Sequence, residues 1–267
     1  MLLAEINGKY DVAVRDHEDY LTSTVFSHLR YVRPGRFWAA LFSKAKALPV
    51  QGIEKTLTEV IGDSHDISRY EMLDVRFWPK CPGLGEPELA MSFSGGCQTP
   101  LVVLVEVKLW SPKSGQGKHD QLMRYLQIAD SLDRLTPAMP ANAKVVVVYL
   151  TPRESSNEVL DSLSEYGDSD QSRHRLFRLQ WQDMVEAIED ALLKELELSQ
   201  LILRDVRDFL LVRRLGYFKG FRLPKGVECL REVCGAFLAR KGAFQGFQMA
   251  AGVAQIQVFK GAWCNAN

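Results

Sequence analysis

No uninterrupted apolar run in this 267-residue sequence exceeds six residues, far short of the ~20 that a membrane-spanning helix needs. Residues 1–6 include an acid and are too short to form a secretory signal. Net charge is absent as well, since 33 basic residues balance 33 acidic ones. A protein that grips nucleic acid through a broad positive field is basic, so any phosphate contact here must come from local clusters. Cysteine is scarce, with Cys81, Cys97, Cys229, Cys234 and Cys264 making five in all and no C-x-x-C pair among them. That argues against a zinc ribbon, and the odd count suggests free thiols in a reducing compartment. The expected setting is cytoplasmic.

What remains is ordinary globular composition, 46% hydrophobic and 25% charged. A chain of this length buries ~75% of its unfolded surface and needs no disulfide or metal to hold a core. Leu21, Val25, Leu29 and Val32 fall on one helical face after Asp16, an expected N-cap. A second helix is expected over 37–48, and 55–61 reads as strand or helix. Strands are expected over 70–77, 101–109, 144–150 and 175–180, with a short one over 88–93. The runs LVVLV and VVVVYL are apolar on both faces, as in strands covered on two sides. Helices are expected over 120–132, 157–166, 182–198 and 201–211. This order predicts an α/β fold, a mixed central sheet flanked by helices. The division expected is a main domain over 1–198 and a mainly helical C-terminal appendage over 199–267.

The strand over 101–109 ends in Glu106-Val107-Lys108. Residues two apart share a strand face, so an acid and a base follow Val102 and Leu104 where more core is expected. Buried charges persist mainly when paired or bound to metal. Asp74 is a second acid within an apolar strand. If the two strands lie near each other, Asp74 and Glu106 converge, and a hard divalent cation between them would relieve their repulsion, with the Val107 carbonyl as a third oxygen ligand. Such a cation polarises a phosphoryl oxygen and acidifies bound water, while Lys108 orients that water or stabilises charge.

Asp74 followed by Glu106-x-Lys108, with Gln121-x-x-x-Tyr125 on the next helix, resembles the PD-(D/E)XK nuclease superfamily and its RecB-type branch over residues 10–195. The proline that usually precedes the aspartate is missing, Leu73 standing there. The resemblance implies a restriction-endonuclease-like fold and a nuclease dependent on Mg2+ or Mn2+. Its catalytic set would be Asp74, Glu106, Lys108, Gln121 and Tyr125, with Asp74, Glu106, Val107 and Glu18 as metal ligands. Glu18 lies on the Leu21 stripe, and its alternative role is to complement the helix dipole. The cysteine spacing does not match the iron–sulfur subset of that branch. Nucleic acid, DNA first, is the expected partner. Lys113, Lys118, Arg213 and Arg214 are the expected phosphate contacts, and residues 213–222 interleave cations with aromatics. A homodimer, or a separate motor subunit, would be consistent, since no P-loop is present. The alternatives are a catalytically silent binding or scaffold protein on the same fold and a hydrolase of another phosphodiester.

Overall fold

Residues 101–107 and 144–151, the strands that contain the two runs apolar on both faces, lie side by side at the centre of a sheet. The computed structural model describes residues 17–217, except 97, 110, 112, 116, 137, 138 and 141. Its strands are β1 (Lys46–Ala47), β2 (Met72–Phe77), β3 (Leu89–Ser94), β4 (Leu101–Val107), β5 (Lys144–Thr151) and β6 (Leu176–Gln180). They form one mixed sheet in the order β1-β6-β5-β4-β3-β2. β4, β5 and β6 run parallel, while the pairs β2–β3, β3–β4 and β1–β6 are antiparallel.

The helices are α1 (Glu18–Leu29), α2 (Arg36–Phe42), α3 (Leu57–Ile61), α4 (Gln121–Ala129), α5 (Ser156–Tyr166), α6 (Asp170–Arg173), α7 (Trp181–Leu192) and α8 (Glu197–Val212). Alternation along β4 distributes its side chains to two cores. Val103, Val105 and Val107 meet α1, α2, α7 and α8 in the larger core. Val102 and Leu104 meet Leu122, Tyr125 and Leu126 of α4, and Val159 and Leu163 of α5, in the smaller one. Glu106 belongs by parity to this second face. The chain is thus an α/β protein with helices on both sides of its sheet.

Several boundaries differ from the expectation. The helix over 37–48 stops at Phe42, because Lys46 and Ala47 pair as an edge strand with Arg178 and Phe177. Residues 55–61 hold a short helix, closed by a reciprocal Thr56–Glu59 capping box. The N-cap of α1 is His17, while Asp16 lies outside the described residues. The segment 182–198 is broken into α7 and α8, and between them the Glu195 carboxylate accepts the Phe37 N–H of α2 at 2.9 Å. Helix α8 buries Leu203, Val206, Phe209 and Leu210 in the larger core. The first compact unit accordingly runs to Tyr217, and the expected boundary at 198/199 falls inside it. Residues 218–267, including three of the cysteines and most of the interleaved aromatic patch, lie outside the described residues. Among the described residues no helix is long and apolar enough to cross a membrane.

Candidate active site

The second face of β4 ends in Glu106, and there the apolar row gives way to charge. Glu106 is fully buried, and Lys108 is 7% exposed. The Lys108 ammonium lies 2.7 Å from Glu106 Oε1 and 3.8 Å from Glu18 Oε2. The Glu106 carboxylate is sealed from solvent, with the Lys108 ammonium and the Tyr125 hydroxyl as its close polar neighbours. The backbone at Lys108 is fixed on two sides. Its N–H donates to Leu150 O at 2.8 Å, and its carbonyl accepts the buried indole N–H of Trp181 at 3.0 Å. Glu18, in the first turn of α1, accepts the Leu109 N–H at 3.1 Å and the Ser111 hydroxyl. It ties the first helix to the chain just after Lys108.

The third carboxylate is not the expected one. Asp74 pairs with Ser92, and Ser92 with Val102. Asp74 therefore sits four residues along the strands from the level of Glu106, about 13 Å at ~3.3 Å per residue, and two strand spacings of ~4.8 Å across. Its side chain is 56% exposed and pairs with Arg76 Nε at 2.8 Å. The expectation that Asp74 and Glu106 converge is corrected: both share a face, but the antiparallel register sends Asp74 toward the far end of the sheet. Glu88 takes that place. Leu89 pairs with Val105, so continuing the ladder by one residue sets Glu88 opposite Glu106. The Trp78 indole N–H holds its Oε2 at 2.9 Å. Burial, then repulsion from Glu106, pushes the Glu88 carboxyl up to about 7, although the Trp78 bond opposes this. A legible signal existed: Pro87 directly precedes Glu88, eighteen positions ahead of Glu106, whereas Leu73 precedes Asp74.

Burial also pushes the Glu106 carboxyl above the usual range, with Lys108 only partly offsetting it. For Lys108, burial disfavours the charge, but Glu106, Glu18 and Glu88 outweigh burial and hold the ammonium above its ordinary pKa. We take the pair as a charged Lys108 facing a carboxylate that is strained by desolvation, because three acids surround a single base.

Gln121 and Tyr125 stand one turn apart on α4, and Gln121 Nε2 donates to the Tyr125 hydroxyl at 3.0 Å. That hydroxyl also donates to Glu86 O at 3.0 Å, two residues before Glu88. Tyr125 is buried, and desolvation followed by Glu106 raises its pKa far above the ordinary phenol. The pair thus spans from the loop after β4 (Ser114 N–H to Gln121 Oε1, 3.2 Å) to the loop before β3. Val107 turns its side chain into the opposite core.

The expected phosphate contacts fare differently. The Lys113 ammonium pairs with Asp120, itself 2% exposed, and binds Ser162 Oγ at 2.6 Å. It is an internal tie, and its proposed exposure to phosphate is corrected. Arg213 is 5% exposed and lies over the rings of Phe209 (4.8 Å) and Tyr20 (5.2 Å), so it too is part of the interior. Arg214 is exposed, in a left-handed backbone conformation with φ 61°. The backbone of Lys118 lies in the 3-10 turn Gly117–His119, and its side chain is outside the described residues.

Among the described residues, no group of three or more His, Cys, Asp or Glu side chains is arranged to hold a metal. Compared with family models, curated proteins and solved structures, the chain matches none.

Proposed function

We propose that this protein is a metal-dependent phosphodiester hydrolase acting on nucleic acid, with DNA as the first substrate to test, and that its sheet is of the restriction-endonuclease-like kind. The observation that carries the proposal is Glu106: a fully buried carboxylate at the end of an apolar strand, 2.7 Å from the ammonium of a buried lysine and close to the acids Glu88 and Glu18. Such a group is costly to the fold, and strained ionisable groups concentrate at sites of chemistry. The order Pro87-Glu88…Glu106-x-Lys108 with Gln121-x-x-x-Tyr125 supports the resemblance better than the order beginning at Asp74.

A divalent cation fits this donor set. Mg2+ is commonly held by one or two carboxylates with water completing its shell, so a group of three acids is not required. Glu88 and Glu106 would hold it, with the Val107 carbonyl as a neighbouring oxygen, and their mutual repulsion would be relieved. When bound, it supplies Lewis-acid polarisation of a phosphoryl oxygen and acidifies a water. Lys108, kept protonated by its three carboxylates, is suited to donate hydrogen bonds to a water or to charge developing on phosphate, rather than to act as the base. Gln121 and Tyr125 hold the two flanking loops in register around these groups.

The test is cleavage of single- and double-stranded DNA and RNA with and without Mg2+ or Mn2+, using Lys108→Ala and Glu106→Gln as controls. Metal-dependent products that vanish in both variants are expected. Undiminished cleavage by folded Lys108→Ala protein would remove the assigned role. A second reading, a silent scaffold, is favoured by the 2.7 Å ion pair that neutralises Glu106 internally. Calorimetry with Mn2+ separates the two, as absence of binding at millimolar metal supports the scaffold.

A further inference from the structure

A solvent-open cleft of about 380 Å3 is lined by Lys44, Lys46 and Arg178 among other residues. Each of these cations is already answered: Lys44 by Glu186 and Asp190, Lys46 by Glu54, and Arg178 by Glu54 and Glu154. It has no positive charge left for a phosphate.

A different arrangement surrounds the hairpin of residues 78–88, which joins β2 to β3. Lys80, Arg124 and Arg134 make no ion pair among the described residues. Arg134 Nη2 donates to Pro82 O at 2.9 Å, and a Cβ at Gly83 would stand 3.9 Å from the same nitrogen. Arg124 Nη1 lies 3.6 Å from where a Cβ at Gly85 would be. Both glycines have positive φ, 80° and 113°, so the guanidinium groups lie over bare backbone with no side chain to screen them. Arg124 Nε is buried and has no hydrogen-bond partner. Lys80 is exposed on the same hairpin, pinned by a two-way backbone ladder with Thr136 at 3.2 and 2.9 Å.

At the base of the hairpin stands Trp78. Its φ is 48°, a conformation that a bulky side chain adopts only under constraint from its surroundings. Its N–H bonds Glu88 O at 3.0 Å, and its indole N–H bonds Glu88 Oε2 at 2.9 Å. The residue is half-buried, with the Phe77 ring 5.6 Å away, and its bond to Glu88 sets it beside the candidate site.

Building on the nuclease reading, we infer that the 78–88 hairpin and the adjoining Arg124 and Arg134 form the surface that holds a single nucleic-acid strand, with Trp78 stacking a base next to Glu88. Single-strand surfaces combine cations that follow the backbone with aromatic faces that stack bases, and Trp78 and Lys80 of the hairpin, with Arg124 and Arg134 packed against it, bring both together. The surface differs from the loop over 111–119 and the 213–222 segment expected from sequence.

The test is fluorescence anisotropy of a labelled single-stranded DNA on the full chain in EDTA, where binding is read without cleavage, over a series of salt concentrations. Lys80→Ala, Arg124→Ala and Arg134→Ala together should lower the salt slope by about 2, at ~0.7 per cation for a single strand, and weaken binding more than tenfold. Lys55→Ala, Arg153→Ala and Lys194→Ala together, which remove three exposed cations elsewhere, should change the slope by less than half as much. Trp78→Ala should weaken binding about tenfold. Trp78→Phe should keep binding and reduce cleavage, since it retains the ring and loses the bond to Glu88. Circular dichroism melts identify folded variants, and the exposed single variants Lys80→Ala and Arg134→Ala serve if the triple variant does not fold. Equal losses in the two triple variants, or no single-strand binding by the unaltered chain, would overturn the inference. Binding that follows these expectations without any cleavage would leave it standing and remove the nuclease reading instead.

Discussion

Glu88 stands across from Glu106 where the β3–β4 ladder runs one residue past its last registered pair, Leu89 with Val105. The two strands reach that level from opposite directions, one beginning and the other ending there. The result is a carboxylate pair that neither strand contains alone, with the Lys108 ammonium 2.7 Å from Glu106.

Glu88 should leave a signature in the pH dependence of stability. Folding raises its pKa from 4.5 to about 7, so the folded chain binds that proton more tightly than the unfolded one. The stabilising contribution is fully present below pH 4.5 and is lost as pH rises to about 7. Solvent screening of this partly exposed group limits the effect to about 1 kcal/mol, roughly 2–4 °C in Tm for a unit of this size. Thermal melts at stepped pH should show Glu88→Gln declining less than the unaltered chain across that window. Parallel profiles would mean that Glu88 does not share its environment with Glu106.

Removing the ammonium should expose the repulsion it now offsets. Lys108→Met leaves Glu18, Glu88 and Glu106 without their common cation, a loss of about 3–5 kcal/mol for a broken buried pair. The loss should be largest at pH 8 and shrink toward pH 5, where Glu88 and Glu106, whose pKa values burial raises, regain protons. Urea midpoints at the two pH values check this, and a pH-independent deficit would point to lost packing instead.

Divalent metal should stabilise the fold through the same acids. A cation that binds only the native state adds about 2.7 kcal/mol at a hundredfold excess over its Kd. Mn2+ should therefore raise the Tm of the unaltered chain, and raise it far less in Glu106→Gln or Glu88→Gln. Asp74→Asn should respond like the unaltered chain, because that residue is exposed and distant. Loss of the response in Asp74→Asn alone would reverse the assignment.

Lys113 should matter to stability before it matters to binding. Asp120 accepts the Met123 N–H at 3.0 Å as the N-cap of α4 and also pairs with the Lys113 ammonium. Asp120→Ala removes the cap, worth ~1 kcal/mol, and strands a buried cation, worth about 3–5 kcal/mol. Chemical denaturation should show the larger sum, and Lys113→Met should lower stability without reducing the salt slope of nucleic-acid binding.

The central strands were legible because a strand covered on both faces must be apolar at every position, and the runs at 101–105 and 145–150, rich in β-branched residues, satisfy this. Glu106 and Lys108 were legible for the complementary reason, as charges interrupting such a run. The Gln121–Tyr125 pair was singled out by the resemblance, and helical spacing added only that the two share a face. Asp74 misled because an acid within an apolar strand looks the same whether its neighbours across the sheet lie near β4's end or its beginning. The cations misled in a similar way, as Lys113 and Arg213 read as surface charge while Asp120, Tyr20 and Phe209 lay elsewhere in the sequence.

By itself the sequence determined the central strands, the main helices and the charged residues that interrupt the apolar runs, because those follow from local periodicity and the cost of burying charge. Only the tertiary structure decided which acid faces Glu106, which lysines are spent internally, and that α8 joins the core. Those outcomes depend on strand register and helix docking, where a shift of a few residues along a strand moves a side chain by more than 10 Å without altering any local pattern.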